Sequence, residues 1–208
     1  MVQVYQGCCK MLPNSLKMLI DSFQSLPGIG NKTAERLAFS MLDFNNDDLT
    51  SFSDAILAIR DNIRYCELCG NISDDVLCNV CVDKSRDFST IFVVEKPKDI
   101  ILFEKLGIFK GVYHVLNGLI SPLDGIGPDD ISLDKLMSRL NDGNVNEVIL
   151  ALKPTVEGET TMQYIKKILE SKDIKVSKIA TGIPIGTDME YIDSLTLELA
   201  IDERKNMN

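Results

Sequence analysis

Apolar positions follow a helical period through the first sixty residues. Leu16, Leu19, Ile20 and Phe23 recur at i, i+3, i+4 and i+7, one face of a helix. After Leu26-Pro27-Gly28-Ile29-Gly30 the pattern resumes with Ala34, Leu37, Ala38, Met41 and Leu42. A third helix is expected to start at Ser53, a residue type that caps helix N-termini, and to run through Ile56, Ile59 and Ile63. Residues 66–84 are polar, turn-like and rich in cysteine. From Ser89 the character changes to short apolar runs alternating with helical periodicity. Strands are expected over 90–94, 112–116, 147–152 and 175–179, and helices over 98–106, 133–140 and 160–169. That alternation predicts βαβ units and a mainly parallel sheet. Gly182, Pro184 and Gly186 then mark a tail with no clear period. The expected fold class is a multi-element α+β chain: a helical region over 1–60, a cysteine segment over 61–88, an α/β domain over 89–180 and a tail over 181–208.

Hydrophobic residues make up 45% of the 208, enough to build a core. No apolar run approaches the roughly 18 residues a membrane span needs. Residues 1–13 lack the basic start and apolar stretch of a signal peptide, so a cytoplasmic protein is expected. The net charge of −9 argues against a polyanionic partner, but the charge is unevenly spread. Residues 1–60 carry 5 Lys+Arg against 6 Asp+Glu, residues 61–88 carry 3 against 6, and residues 89–208 carry 14 against 19. The N-terminal region is the least acidic, and a local cationic patch there can still meet phosphate.

Cys66, Cys69, Cys78 and Cys81 form C-x2-C-x8-C-x2-C. Each pair can place two thiolates on one side of a tight turn, and two such turns complete a tetrahedron around Zn²⁺. With all four positions filled, the site would be closed and structural, one ion per chain. Buried free thiols are the alternative. Cys8 and Cys9 read as ordinary packing or surface thiols. His114, the single histidine, reads as a packed strand residue.

The segment from Leu26 to Ala34 joins two amphipathic helices. Gly28 and Gly30 allow the backbone to come close to a ligand. The amides from Gly30 to Thr33 open the next helix, a ready place for a phosphate oxygen, and Lys32 and Arg36 add positive charge one turn apart. This is the sequence form of a helix–hairpin–helix, which grips a nucleic-acid backbone without reading bases. A plain turn between two helices is the alternative, and Ile29 reads as a packing residue.

Ile91-Phe92-Val93-Val94-Glu95 places a carboxylate at the C-terminal end of a buried strand, where open α/β sheets hold their ligands. Ala151-Leu152-Lys153-Pro154-Thr155-Val156-Glu157-Gly158-Glu159 follows a second strand and opens a helix. The pair resembles a Toprim domain, whose catalytic members hold Mg²⁺ with a strand-end glutamate and a D-x-D motif. Lys153 and Thr155 stand at the two Asp positions. An ammonium repels the cation and a hydroxyl offers only a neutral oxygen, so Glu95, Glu157 and Glu159 would hold a divalent ion poorly. Each glutamate can also be read simply as a helix-start acid. Gly125-x-Gly127, within the long connection over 117–130, reads as a turn.

The order of hairpin, four-cysteine knuckle, Toprim-like core and Gly/Pro-marked tail, with Ser121-Pro-Leu-Asp-Gly-Ile-Gly-Pro-Asp-Asp130 and Pro154-Thr-Val-Glu-Gly-Glu159, resembles the bacterial RecR family over about residues 16–199. The resemblance implies a non-catalytic, DNA-binding mediator of recombinational repair. It implies RecO and RecF as partners, help in loading RecA on gapped DNA, and a ring, commonly a tetramer, built through the N- and C-terminal regions. It also implies departures at Lys153, where the family usually has Asn, and at Thr181, where it often has His or Arg. A ring would gather several copies of Lys32 and Arg36 around one hole, which answers the acidic charge. Two other readings remain: a Mg²⁺-dependent nuclease or topoisomerase-like enzyme on the same fold, and a protein-binding zinc module with no DNA role.

Overall fold

The structure is a computed structural model that describes residues 12–141, 143–180, 182–202 and 204. Cys8, Cys9 and Thr181 lie outside the described residues. The chain divides into two compact units, Met1–Asn62 and Ile63–Asn208.

The first unit is helical: α1 spans Asn14–Gln24, α2 Asn31–Ser40 and α3 Asn46–Asn62. The first two pack through Leu16 and Ile20 against Ala34 and Ala38, and Ile29 in the connecting turn adds to this small cluster. Helix α3 starts seven residues before Ser53. Asn45 Oδ1 accepts from the Asp48 amide at 2.8 Å. Asp47 and Asp48 add negative charge to the first turn, and Arg60 adds positive charge to the last. That stronger cap and the dipole-favouring charges override the serine. Met41 and Leu42 do not extend α2 but form a 3₁₀ turn over Met41–Asp43. Among the described residues α3 buries nothing. Leu49, Phe52, Ile56, Leu57 and Ile59 are all exposed, as are Phe39, Leu42 and Phe44. The apolar period expected of a third helix is present; a core to receive it is not found among the described residues of this unit.

The second unit begins with a short antiparallel pair, β1 (Arg64–Tyr65) and β2 (Ile72–Ser73), followed by α4 (Asn79–Val82). A four-stranded sheet follows, from β3 (Asp87–Val94), β4 (Gly111–Val115), β5 (Glu147–Ala151) and β6 (Lys175–Lys178), in the order β4-β3-β5-β6. Every pairing is parallel, as the alternation of strands and helices requires. The connecting helices are α5 (Pro97–Leu106), α6 (Leu133–Asn141) and α7 (Val156–Leu169), and α8 (Ser194–Asp202) closes the tail. The core centres on Ile91, Val93, Val94, Val112, Val115, Val148, Leu136 and Ile165.

Register determines what emerges from the sheet. Val94 pairs with Val115 on one side and Ala151 on the other, so three strands end level. Glu95 and Lys153 therefore leave the sheet at the same edge. Asn117, at φ 59°, turns back and donates its amide to the Glu95 carbonyl at 2.9 Å. The connection over 117–130 is a built turn, closed by the Ser121–Ile126 bridge with Gly125 at φ 71°. Helix α7 starts at Val156, four residues earlier than its apolar period, because Thr155 Oγ1 caps the Gly158 amide. No helix among the described residues is long and apolar enough to cross a membrane.

Helix α7 approaches the preceding loop so closely that a Cβ on Gly158 would lie 1.9 Å from the Lys153 carbonyl oxygen. Alanine normally favours a helix over glycine by about 1 kcal/mol. Here Gly158→Ala is expected to destabilise by roughly 1–3 kcal/mol because backbone must shift. Denaturant unfolding checks this, and a neutral or stabilising result would contradict the close approach.

Candidate functional site

The four cysteine sulfurs lie within 4.8 Å of one another, and all four residues are buried. Tetrahedral Zn²⁺ with Zn–S bonds of about 2.3 Å sets S–S separations near 3.8 Å. The Cys69–Cys78 sulfur distance is 3.5 Å, so the cage already has the size of the ion. Backbone bonds shape the first turn: Gly70 donates to the Cys66 carbonyl at 2.9 Å and Cys66 to the Asn71 carbonyl at 2.7 Å. Gly70 takes φ +75° there, and the Asn71 amide points at Cys69 Sγ, 3.4 Å away. In the second turn, Cys81 and Val82 both donate to the Cys78 carbonyl. The crowded thiols share their protons unequally. The hydrogen bond with Cys78 pushes Cys69 up to about 12, and the bonds to Cys69 and Cys78 raise Cys81. Cys78 is lowered because its sulfur receives those bonds. A dication lets all four carry charge, and every ligand position is taken by protein, so no place is left for a reactive water. The donor set, size and burial fit one structural zinc.

The knuckle is joined to the sheet, a feature that spacing alone did not reveal. The Cys69 carbonyl accepts from the Val115 amide of edge strand β4 at 2.8 Å. Beside it, Arg139 Nη1 donates to the Tyr113 carbonyl at 2.7 Å and lies 3.4 Å from His114 Nδ1. Burial lowers Arg139 from its ordinary value, and the negative charge of the four cysteines opposes that shift. Its guanidinium thus offsets a cluster that stays anionic even with zinc bound. His114 Nε2 faces the Ser132 carbonyl at 2.8 Å, so the neutral ring donates there and accepts from Arg139. It is fully buried, a packing residue as its strand position implied. A second tie runs from Arg86 to Glu104, whose carboxylate also receives the Tyr113 hydroxyl at 2.7 Å. The Arg86 bond lowers Glu104 from the usual carboxylate range.

In the first unit, Gly28 takes φ +84° and Gly30 is the N-cap of α2. The amides of Gly30, Asn31 and Lys32 have no acceptor among the described residues. The Thr33 amide does have one, the Gly30 carbonyl at 3.1 Å, so the cluster of free amides is one shorter than the sequence implied. Lys32, Thr33 and Arg36 are exposed, the two cations four residues apart on one helix face. Asn31 bridges the turn, accepting from Gln24 at 2.7 Å and donating to Glu35 at 2.8 Å.

At the sheet edge, Glu95, Glu157 and Glu159 do not come together as a metal site. The cysteine quartet is the only metal-type cluster among the described residues. Lys153 Nζ lies 3.3 Å from one Glu95 oxygen and 3.4 Å from the other. Glu159 pairs instead with Lys178 at 3.6 Å. Glu157 sits in the first turn of α7, lowered chiefly by its own backbone amide and then by the Thr155 hydroxyl.

Four family models match the chain in order. They are the RecR helix-hairpin-helix over residues 16–60, the RecR four-cysteine zinc finger domain over 63–83, the Toprim domain over 89–180, and the RecR C-terminal model over 182–205.

Zinc should be present at one per chain by elemental analysis and be lost from Cys69→Ser or Cys78→Ser. Small zinc sites hold their ion with on the order of 10 kcal/mol, so stripping it should unfold the knuckle and expose its thiols to titration. A zinc-free chain with an intact melt would contradict the assignment. His114 offers a pH test. Burial lowers it from 6.5 to about 4, so the unfolded chain takes up the proton first. Its stabilising contribution is complete above pH 6.5 and is lost as pH falls from there towards 4. As the single histidine, its NMR resonance should not titrate near 6.5; a midpoint there would show the ring to be hydrated.

Proposed function

The chain belongs to the RecR family, and from that membership and the hairpin's geometry we propose that it is a DNA-binding mediator of recombinational repair that clamps and recruits and catalyses no reaction. The observation that carries the reading is the start of α2, within the segment matched as a RecR helix-hairpin-helix. Free amides of Gly30, Asn31 and Lys32 stand beside the exposed cations of Lys32 and Arg36. Amides at a helix start and flanking cations suit phosphate oxygens and carry no base preference. Gly28 and Gly30 let the strand's backbone approach, and Thr33 adds a hydroxyl.

One such hairpin on a chain of charge −9 would bind weakly. A ring of several copies, commonly four in this family, multiplies the cations around one hole. Exposed apolar surface among the described residues supports association at both ends of the chain. In α3, Leu49, Phe52, Ile56, Leu57 and Ile59 are exposed, and in the tail Ile185, Met189, Tyr191, Leu195 and Ile201 are exposed. A helical unit with four buried core residues among those described gains by covering that surface with a second copy. RecO and RecF are the partners the family implies, with RecA loading on gapped DNA as the outcome. Glu157 and Glu159, both half-exposed near the sheet edge, are available to a partner, Glu159 by exchanging its Lys178 pair. The competing Mg²⁺-dependent nuclease reading is disfavoured by the lysine seated on Glu95. The cytoplasm is the compartment this role requires.

DNA binding across a salt series tests the reading, with wild type beside Lys32→Glu/Arg36→Glu. Each phosphate contact contributes about 0.9 to the slope of log affinity against log salt, so the double variant should lose about 2 from the slope for each hairpin engaged. Its helical signal and zinc content should be unchanged. Binding equal to wild type would overturn the hairpin as the contact surface.

A further inference from the structure

A Toprim domain implies a divalent cation at the edge of its sheet, and the residues of this chain do not fit one. We infer that Lys153 is the resident cation of this corner. Its ammonium is a tethered counter-ion that takes the charge role of the metal, so the domain keeps its shape without Mg²⁺.

Glu95, Asp99, Asp124 and Glu159 are each already engaged. Glu95 leaves β3 with its side chain only 12% exposed, and both its oxygens face Lys153 Nζ, at 3.3 and 3.4 Å. Lys96 Nζ lies 3.5 Å from the same carboxylate, so two ammonium groups serve one acid. A dication would have to displace Lys153 and tolerate Lys96. Asp99, across the cleft, accepts the Lys96 amide at 3.0 Å and caps α5. Thr155, the residue two after Lys153, spends its hydroxyl capping α7 by accepting from Gly158 at 3.3 Å. Asp124 accepts the Ser121 hydroxyl at 2.6 Å, and Glu159 pairs with Lys178. Each of these acids already has a cation or a donor. The cleft between β3, β5 and α5, about 360 Å³, is lined by Lys96, Lys98 and Lys153 as well as Glu95 and Asp99, so its cations already outnumber its acids.

The lysine reaches Glu95 because the sheet is in register. With Val94 opposite Ala151, the residues following β3 and β5 share one edge, and the side chains of Glu95 and Lys153 meet across 58 residues of sequence. An oxygen ligand at position 153 would leave the sheet at the same edge as Glu95, so replacing Lys153 tests whether its ammonium is what closes this corner to a cation. The inference deepens the reading of this domain as a scaffold without chemistry, and it is independent of how the hairpin meets DNA.

Full-length, zinc-loaded protein is titrated with Mn²⁺ and bound ion is read by electron paramagnetic resonance. The comparison covers wild type, Lys153→Asp and Lys153→Asn, each with and without Glu95→Gln. Wild type should show no Mn²⁺ binding that depends on Glu95. Lys153→Asp should bind Mn²⁺ at least tenfold more tightly than wild type, and Glu95→Gln should abolish the gain. Lys153→Asn, which trades the charge for a neutral oxygen, should gain in the same direction and serves if the aspartate variant does not fold. Glu95-dependent Mn²⁺ binding by wild type would overturn the inference. So would a folded Lys153→Asp or Lys153→Asn that binds no more tightly than wild type. DNA binding by these variants should equal wild type, so failure here would leave the hairpin reading intact, and failure of the hairpin test would leave this inference intact.

Discussion

Mutual repulsion among four thiolates, relieved only by a shared cation, is the constraint on which the second unit depends. Residues 63–83 have two strands of two residues and one helix of four, too little to bury a core of their own. Gathering Cys66, Cys69, Cys78 and Cys81 within 4.8 Å substitutes metal bonds for that missing core. The cluster then passes its order on. Cys69 completes the edge of β4 through Val115, and Arg139 from α6 balances the cluster's charge while holding His114 and the Tyr113 carbonyl in place. Zinc in such a position is a fold determinant, and its closed ligand set keeps it out of chemistry.

Electrostatics then separates two surfaces of a chain that is acidic overall. At the hairpin, positive charge and unpaired amides are exposed, which suits a partner that brings its own negative charge. At the sheet edge, charge is settled internally, Glu95 against Lys153 and Glu159 against Lys178. A Toprim domain so neutralised has a floor and walls but no vacancy for a metal.

Much of this was legible in the sequence. The cysteine spacing identified the metal centre because four ligands of one chemistry at paired intervals have few other uses. Apolar runs located β3, β4 and β5, since strands covered on both faces are largely apolar, whereas the edge strand β6, Lys175–Lys178, shows only a short alternation. The hairpin glycines marked the turn that Gly28, at φ +84°, makes. The features the sequence does not show depend on long-range geometry or on competing local signals. Ser53 looked like a cap, but Asn45 with Asp47 and Asp48 forms a stronger start upstream. Arg139 carries no motif and gains meaning only where α6 crosses β4. Lys153 was recognisable as a misfit, but its seat on Glu95 follows from strand register. The tail helix has too weak an apolar face to be placed without the fold.

The proposal that several hairpins act on one DNA is tested most directly by sedimentation of the chain with a short duplex, reading the number of chains per DNA. The account predicts an oligomer that sediments with the same number of chains free and bound, holding one duplex. One chain per duplex, with the free protein monomeric, would contradict it.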